Sequence, residues 1–158
     1  MNKLILSVAV LAALFTSCND DDNHFNASPE TTKAFNSMYP NATKIEWEQE
    51  GIYTVAEFDY KGIESEAWFD SNGKWFVTES DIVYTMLPEE VKAALKASDY
   101  ATWRVDNVDL LERRDLESIY IVEVELGETD KDLHYSPTGE LLKTVAADND
   151  NHYEYFPE

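Results

Sequence analysis

From residue 28 onward the apolar positions switch between the period of a helix and the period of a strand. Ser28-Pro29-Glu30 supplies a cap hydroxyl, a proline for the first turn and an acid near the positive end of the helix dipole. Ala34, Phe35 and Met38 then fall on one stripe, and Tyr39-Pro40-Asn41 ends it. Strand-like runs follow at residues 43–48, 52–59, 64–70 and 74–79. Glu50-Gly51, Lys61-Gly62 and Asn72-Gly73 separate them, and Asn-Gly between apolar runs predicts a hairpin. Leu87-Pro88-Glu89-Glu90 opens a second helix, with Val91, Ala94 and Leu95 spaced i, i+3, i+4. Further strands are predicted at 102–112, 118–126, 132–136 and 140–146, with the last hairpin at Thr138-Gly139.

The order of one helix and four strands therefore occurs twice. Trp47 matches Trp103, Ile52-Tyr53-x-Val55 matches Ile119-Tyr120-x-Val122, and Phe69-x-x-x-Gly73 matches Tyr135-x-x-x-Gly139. The second copy has a longer first hairpin, around residues 106–117. Each helix should cover one face of its own strands. Either unit alone is small for a stable core, so the two are expected to join, as one extended sheet. The predicted fold class is α+β, with two tandem repeats of a helix and a four-stranded antiparallel sheet. The first repeat spans 28–86; the second, with a tail, spans 87–158. The stretch from Ile45 to Leu95 resembles the PepSY-like family. The resemblance rests on Trp47, Tyr53, the Phe69-Asp70-x-x-Gly73-x-Trp75 turn, Thr78-Glu79, and Leu87-Pro88 ahead of a helix. It extends over roughly residues 29–156. It implies a fold like that of beta-lactamase inhibitory protein, in a secreted or lipid-anchored setting. Inhibition of an enzyme is implied by fold similarity alone.

The amino terminus has a different pattern. Lys3 is followed by a nearly unbroken apolar run over residues 4–15, whereas a spanning helix needs about 20 residues. The run reads as a secretory signal. Thr16-Ser17 places small residues directly before Cys18, and the whole resembles a bacterial lipoprotein signal, with Phe15 where that family usually has leucine. The resemblance implies removal of residues 1–17 and acylation of Cys18. Several acyl chains hold a protein at a membrane where one is marginal. The other reading is a plain signal peptide with an incidental cysteine. Residues 18–27 are too polar and acidic to bury anything and form a tether. Acids just after the cysteine resemble the surface-export signal of outer-membrane lipoproteins. The expected location is the outer membrane, with the body facing the periplasm or the cell exterior.

Charge narrows the partners. The 158 residues carry a formal net charge of −20, which repels phosphate backbones and excludes nucleic acid as a partner. A basic partner, or solubility alone, fits that charge. One cysteine permits no intrachain disulfide, and once acylated it is no nucleophile. His24, His134 and His152 are not spaced as zinc ligands. The consecutive aspartates after Cys18 lack the alternate spacing of a calcium loop. Asp70-Ser71-Asn72-Gly73 reads as a turn and Asp148-Asn149-Asp150-Asn151 as a polar linker. No nucleophile elbow or phosphate loop is present. No catalytic residue, metal or cofactor is predicted. A carboxylate enzyme would require a concave pocket holding a carboxylate of raised pKa.

Pairing sets the predicted binding surface. With two-residue loops at Asn72-Gly73 and Thr138-Gly139, Phe69 opposes Phe76 and Tyr135 opposes Leu142, beside Ala67 and Leu133 beneath the helices. The other face then carries Trp68, Trp75 and Val77 in the first unit, and His134, Leu141 and Lys143 in the second. Trp68, Trp75 and Val77 are thus the expected contact surface for a protein or peptide. The competing expectation is that the other repeat, or the tail Tyr153-Glu154-Tyr155-Phe156, covers them. A one-residue slip in pairing would exchange the faces. The sequence therefore predicts a membrane-tethered, non-catalytic binding module, with inhibition of a secreted protease or hydrolase as the alternative.

Overall fold

The structure, a computed structural model, describes residues 25–147. The signal segment, Cys18, His24 and the chain from residue 148 lie outside the described residues.

Ser28 starts helix α1 (Pro29–Met38) as expected: its Oγ accepts the Thr31 N–H at 3.1 Å, and Pro29 occupies the first turn. Four strands follow: β1 (Thr43–Glu50), β2 (Tyr53–Tyr60), β3 (Ile63–Phe69) and β4 (Trp75–Asp81). A 3-10 turn at Tyr84–Met86 leads into α2 (Glu89–Ala97). Four more strands complete the order: β5 (Arg104–Arg113), β6 (Ile119–Leu126), β7 (Thr129–Tyr135) and β8 (Leu141–Ala146). They form one antiparallel sheet in which each strand neighbours its predecessor in sequence. The class is α+β, as predicted.

Residues directly opposed across strands share a face, so the register assigns the two faces. Phe35 of α1 packs on Ala56, Phe58, Ala67 and Phe69. Val91 and Leu95 of α2 pack on Val108, Val122, Val124, Leu133 and Tyr135. Ala67 opposes Thr78, Ser80 opposes Leu110, Leu110 opposes Tyr120, and Tyr120 opposes Tyr135. Both helices therefore cover the same face.

The turns account for the one large departure from the expected pairing. The β3–β4 connection closes with three residues, not two. Asp70 N–H donates to the Lys74 carbonyl at 3.0 Å, and Gly73 N–H donates to the Asp70 carbonyl at 3.0 Å. The Asp70 carboxylate holds the longer loop, accepting the Asn72 and Lys74 N–H groups at 2.9 and 2.8 Å. Ser136 N–H and Gly139 N–H close the β7–β8 connection in the same way. Phe69 consequently opposes Trp75 rather than Phe76, and Tyr135 opposes Leu141 rather than Leu142. A bulge next to each of these pairs restores the register beyond, so Trp68 opposes Val77 and His134 opposes Lys143. Two-residue loops do occur elsewhere, at Gly51-Ile52, Lys61-Gly62 and Gly127-Glu128. Ile52, expected in a strand, is a turn residue and 79% exposed.

Each three-residue turn also seats a helix. A Cβ on Gly73 would lie 2.6 Å from the Glu30 carbonyl oxygen, and one on Gly139 would lie 2.5 Å from that of Glu90. Only glycine permits this approach, and both residues have positive φ, +78° and +81°. Thr31 Oγ1 donates to the Asp70 carbonyl at 3.2 Å, and Ser28 Oγ to that of Ser71 at 3.1 Å. The first turn of α1 is thus fixed to the sheet by its own capping residues.

Candidate functional site

The face away from the helices is divided by side-chain chemistry. One cross-strand row runs Val55, Trp68, Val77, Arg113. The next runs Glu57, Glu66, Glu79, Leu111, Ile119. A third runs Asp81, Asp109, Ile121, His134, Lys143, and a fourth Glu123, Asp132, Val145. Val55, Trp68, Val77, Leu111 and Ile119 form a buried apolar cluster, with Tyr53 and Ile121 packed against it. Beside it lies an acidic band in which carboxylates oppose carboxylates: Glu57–Glu66–Glu79, Asp59–Glu64, Asp81–Asp109 and Glu123–Asp132.

The predicted contact set is split. Trp68 and Val77 share the helix-free face, as expected, but each is only 2% exposed. The Trp68 indole N–H donates to Glu50 Oε2 at 3.1 Å. Trp75 lies on the opposite face, half-buried against the Phe35 cluster, because the three-residue turn places it opposite Phe69. Its indole N–H donates to Thr78 Oγ1 at 2.8 Å, and the Tyr39 hydroxyl lies 2.5 Å from the same oxygen. In the second unit His134 is also buried, and Leu141 stands on the helix side. The expected contrast between an aromatic first unit and a mixed second unit on one open face is therefore not the one found.

The acidic band was not singled out from the sequence, although its signal is there. Glu57-x-Asp59, Glu64-x-Glu66 and Glu79-x-Asp81 place acids at a period of two, which puts each pair on one face of its strand. The band contains a shallow concavity of about 310 Å³, lined by Glu64, Glu66, Glu79, Asp81 and Asp109 together with Ser65 and Asn107. Burial pushes the Asp109 carboxyl up to about 7, and the charges of Glu79 and Asp81 push it the same way. The Asn107 amide, donating to Asp109 Oδ2 at 3.0 Å, offsets part of that rise. Burial and Asp132 likewise raise Glu123.

A carboxyl of raised pKa in a concavity is what a carboxylate enzyme requires. Its neighbours do not extend the chemistry, because the lining is mostly further carboxylates. Ser65 is engaged with the Ser80 hydroxyl at 2.9 Å. Among the described residues no group of histidine, cysteine, aspartate or glutamate is arranged to hold a metal ion. The acids are spread along strands rather than converging on a point. Such a surface attracts distributed positive charge. No helix among the described residues is long and apolar enough to cross a membrane.

This architecture has known counterparts. The model of the family described as "Putative beta-lactamase-inhibitor-like, PepSY-like" matches residues 35–143. The chain is 37% identical to a BLIP-like protein of Bacteroides fragilis, covering 85% of this chain and 96% of that one, with a TM-score of 0.75. It is 30% identical to a DUF2874 family protein of Bacteroides ovatus, over 81% of this chain and 94% of that one, again with a TM-score of 0.75. A DUF2874 family protein of Bacteroides uniformis is 28% identical, over 80% and 94% of the respective chains, at a TM-score of 0.75. No curated protein matches the chain.

Proposed function

The chain belongs to the PepSY-like, beta-lactamase-inhibitor-like family, and from that premise we propose that it is a non-catalytic, lipid-anchored module holding a basic protein or peptide on its helix-free sheet face. The observation that carries this reading is the acidic band. Like charges directly opposed across strands destabilise a sheet. Four such sets on one face are a cost that a complementary cationic partner would relieve. Trp68 and Val77 lie buried beside that band and stiffen the sheet beneath it, and Trp75, on the other face, takes no part. The repeated order of one helix and four strands, with matched glycine seats at Gly73 and Gly139, supports an origin of the sheet in two copies of one unit. Cys18 carries the anchor, at the outer membrane. The tether after it sets the body away from the lipid.

The test is capture from cell envelopes, using the anchored protein beside the triple variant Glu66→Gln, Glu79→Gln, Asp109→Asn. The native protein is expected to retain a basic partner that elutes with salt, and the variant to lose it at a thermal midpoint no lower than the native one. Equal retention by the two would remove the acidic band from the reading. Mass spectrometry of the processed amino terminus tests the anchor: a triacylated Cys18 is expected, and an unmodified thiol there would exclude it.

A second reading, inhibition of a secreted protease or hydrolase, is favoured by the likeness to the BLIP-like protein of Bacteroides fragilis. Purified protein titrated against a panel of secreted hydrolases tests it. Absence of inhibition at micromolar concentration would leave fold similarity without an inhibitory activity.

A further inference from the structure

We infer that the outer edge of β1 is a strand-addition site, where an extended basic segment of another protein joins the eight-stranded sheet as a further strand. The inference rests on the reading of a basic partner, and it gives that partner a conformation and a place.

The first observation is the direction of the main chain. Among the described residues β1 is paired on one side only, with β2. The loop at Gly51-Ile52 has two residues, so Glu50 and Tyr53 are its closing hydrogen-bonded pair. Such pairs alternate with non-bonded ones along an antiparallel ladder. Glu46 and Glu48 therefore bond inward to β2, while Trp47 and Gln49 turn their N–H and C=O groups outward. An added strand would meet both donors and acceptors there.

The second observation is room. A hollow of about 880 Å³ lies beside this strand. Phe25 and Asn26 wall it on one side and the consecutive residues 45–49 on the other. Successive strand residues point to opposite faces, so a hollow that touches all of them runs along the edge rather than over either face. Every residue of β1 is exposed except Trp47, which is half-buried.

The third observation is the chemistry that chooses the occupant. Glu46 opposes Glu57, and so carries the row Glu57, Glu66, Glu79 out to the edge itself. Glu48 opposes Val55 and Glu50 accepts from the Trp68 indole, so both stand on the same helix-free face. Burial pushes the Glu48 carboxyl up, and the charges of Glu57 and Glu50 push it the same way. On the other face Trp47 packs edge-on against Phe35, with ring centroids 5.2 Å apart. A strand with lysine or arginine at alternate positions would set those charges beside Glu46, Glu48 and Glu50, and apolar residues between them would meet Trp47. A second copy of β1 would set glutamates against glutamates, and the chain's own Asp20-Asp21-Asp22 would repeat the conflict. The edge therefore resists self-pairing and admits a basic strand.

The test is amide hydrogen exchange, followed by NMR on the full protein in detergent, with a synthetic peptide alternating lysine and valine as the probe. The peptide is expected to slow exchange at Trp47 and Gln49 by about tenfold or more, and to leave Glu46 and Glu48, already bonded to β2, unchanged. The same peptide N-methylated at its valines keeps its charge but loses the donors that face β1, and should bind about tenfold more weakly. Glu46→Gln with Glu48→Gln should weaken the unmethylated peptide by about the same factor. If that variant fails to fold, exchange in the native protein decides alone. Equal binding of the methylated peptide would overturn the added strand and leave a basic partner on the sheet face. So would a loss of binding in Glu66→Gln, Glu79→Gln, Asp109→Asn with none in the edge variant. Absence of binding by the native protein would also overturn the strand, and capture from envelopes then decides the wider reading separately. Slow exchange at Trp47 and Gln49 without peptide would give the edge to the chain's own segment or, where it grows with protein concentration, to a second copy, and either result overturns the inference.

Discussion

Thr78 receives the polar atoms of two half-buried aromatic side chains on one hydroxyl. It is itself buried, and burial pushes the neighbouring Tyr39 phenol up to about 12. Thr78→Val keeps the shape but leaves Trp75 Nε1 and the Tyr39 hydroxyl without that partner, which should cost about 2–4 kcal/mol. Thr78→Ser should cost less than half as much. Urea denaturation of the two variants compares them directly. Asp109 makes a prediction in pH. Its folded pKa of about 7 lies above the 3.8 of an ordinary aspartate, so between those values the folded state holds the proton more tightly. The contribution is fully present below about pH 4 and is lost as pH rises through 7. Asp109→Asn should therefore flatten the decline of thermal stability between pH 5 and 8. The effect should be on the order of 2 kcal/mol, allowing for the carboxyl's partial exposure. An unchanged slope would mean that Asp109 is ionised throughout. Residue identity showed which side chains were large and apolar but not where they point. Trp68 and Trp75 look alike in sequence, and only the bulge between them and their partners assigns them to opposite faces.

At the scale of elements, both helices were legible because their signals are local. Ser28-Pro29-Glu30 and Leu87-Pro88-Glu89-Glu90 announce first turns, and the apolar stripes do the rest. Eight strands were legible for a similar reason, since glycines punctuate them. Turn length was not. Asn72-Gly73 fits a two-residue hairpin on local grounds, and the extra residue is set by the Asp70 carboxylate and by a helix from elsewhere in the chain. The start of β7 at Thr129 rather than 132 follows from the Gly127-Glu128 turn, whose neighbours are polar and hide the alternation. Glycine substitutions separate the two demands on a turn. Gly62 has φ +82° with open space around it, so Gly62→Ala should cost only the left-handed backbone, about 1 kcal/mol. Gly73→Ala and Gly139→Ala must also push a helix off its turn, and about 3 kcal/mol or more is expected for each. Thermal midpoints of the three alanine variants give the ranking. Equal losses would show that the helix seats are soft.

Taken whole, the molecule is a charged sheet with one padded face. The net charge of −20 fits a basic partner or solubility alike and does not reveal the acidic band; only the strand register gathers part of that charge onto one surface. Repulsion of that kind is screened by salt, with a Debye length near 10 Å at 0.1 M and 3 Å at 1 M. Raising sodium chloride from 0.05 to 0.5 M should therefore stabilise the protein by about 1 kcal/mol, visible as a higher urea midpoint. Destabilisation by salt would point to ion pairs as the dominant charge effect. The strictly sequential strand order has a further consequence, for the way the chain folds. No strand waits for a distant partner: each pairs with the one just made, and each helix is joined to strands close to it in the chain. Contacts of short sequence separation fold fast for a given size. A chain that emerges amino terminus first from its synthesis can therefore lay down its sheet in the order in which it appears, hairpin upon hairpin, without holding half of its core exposed.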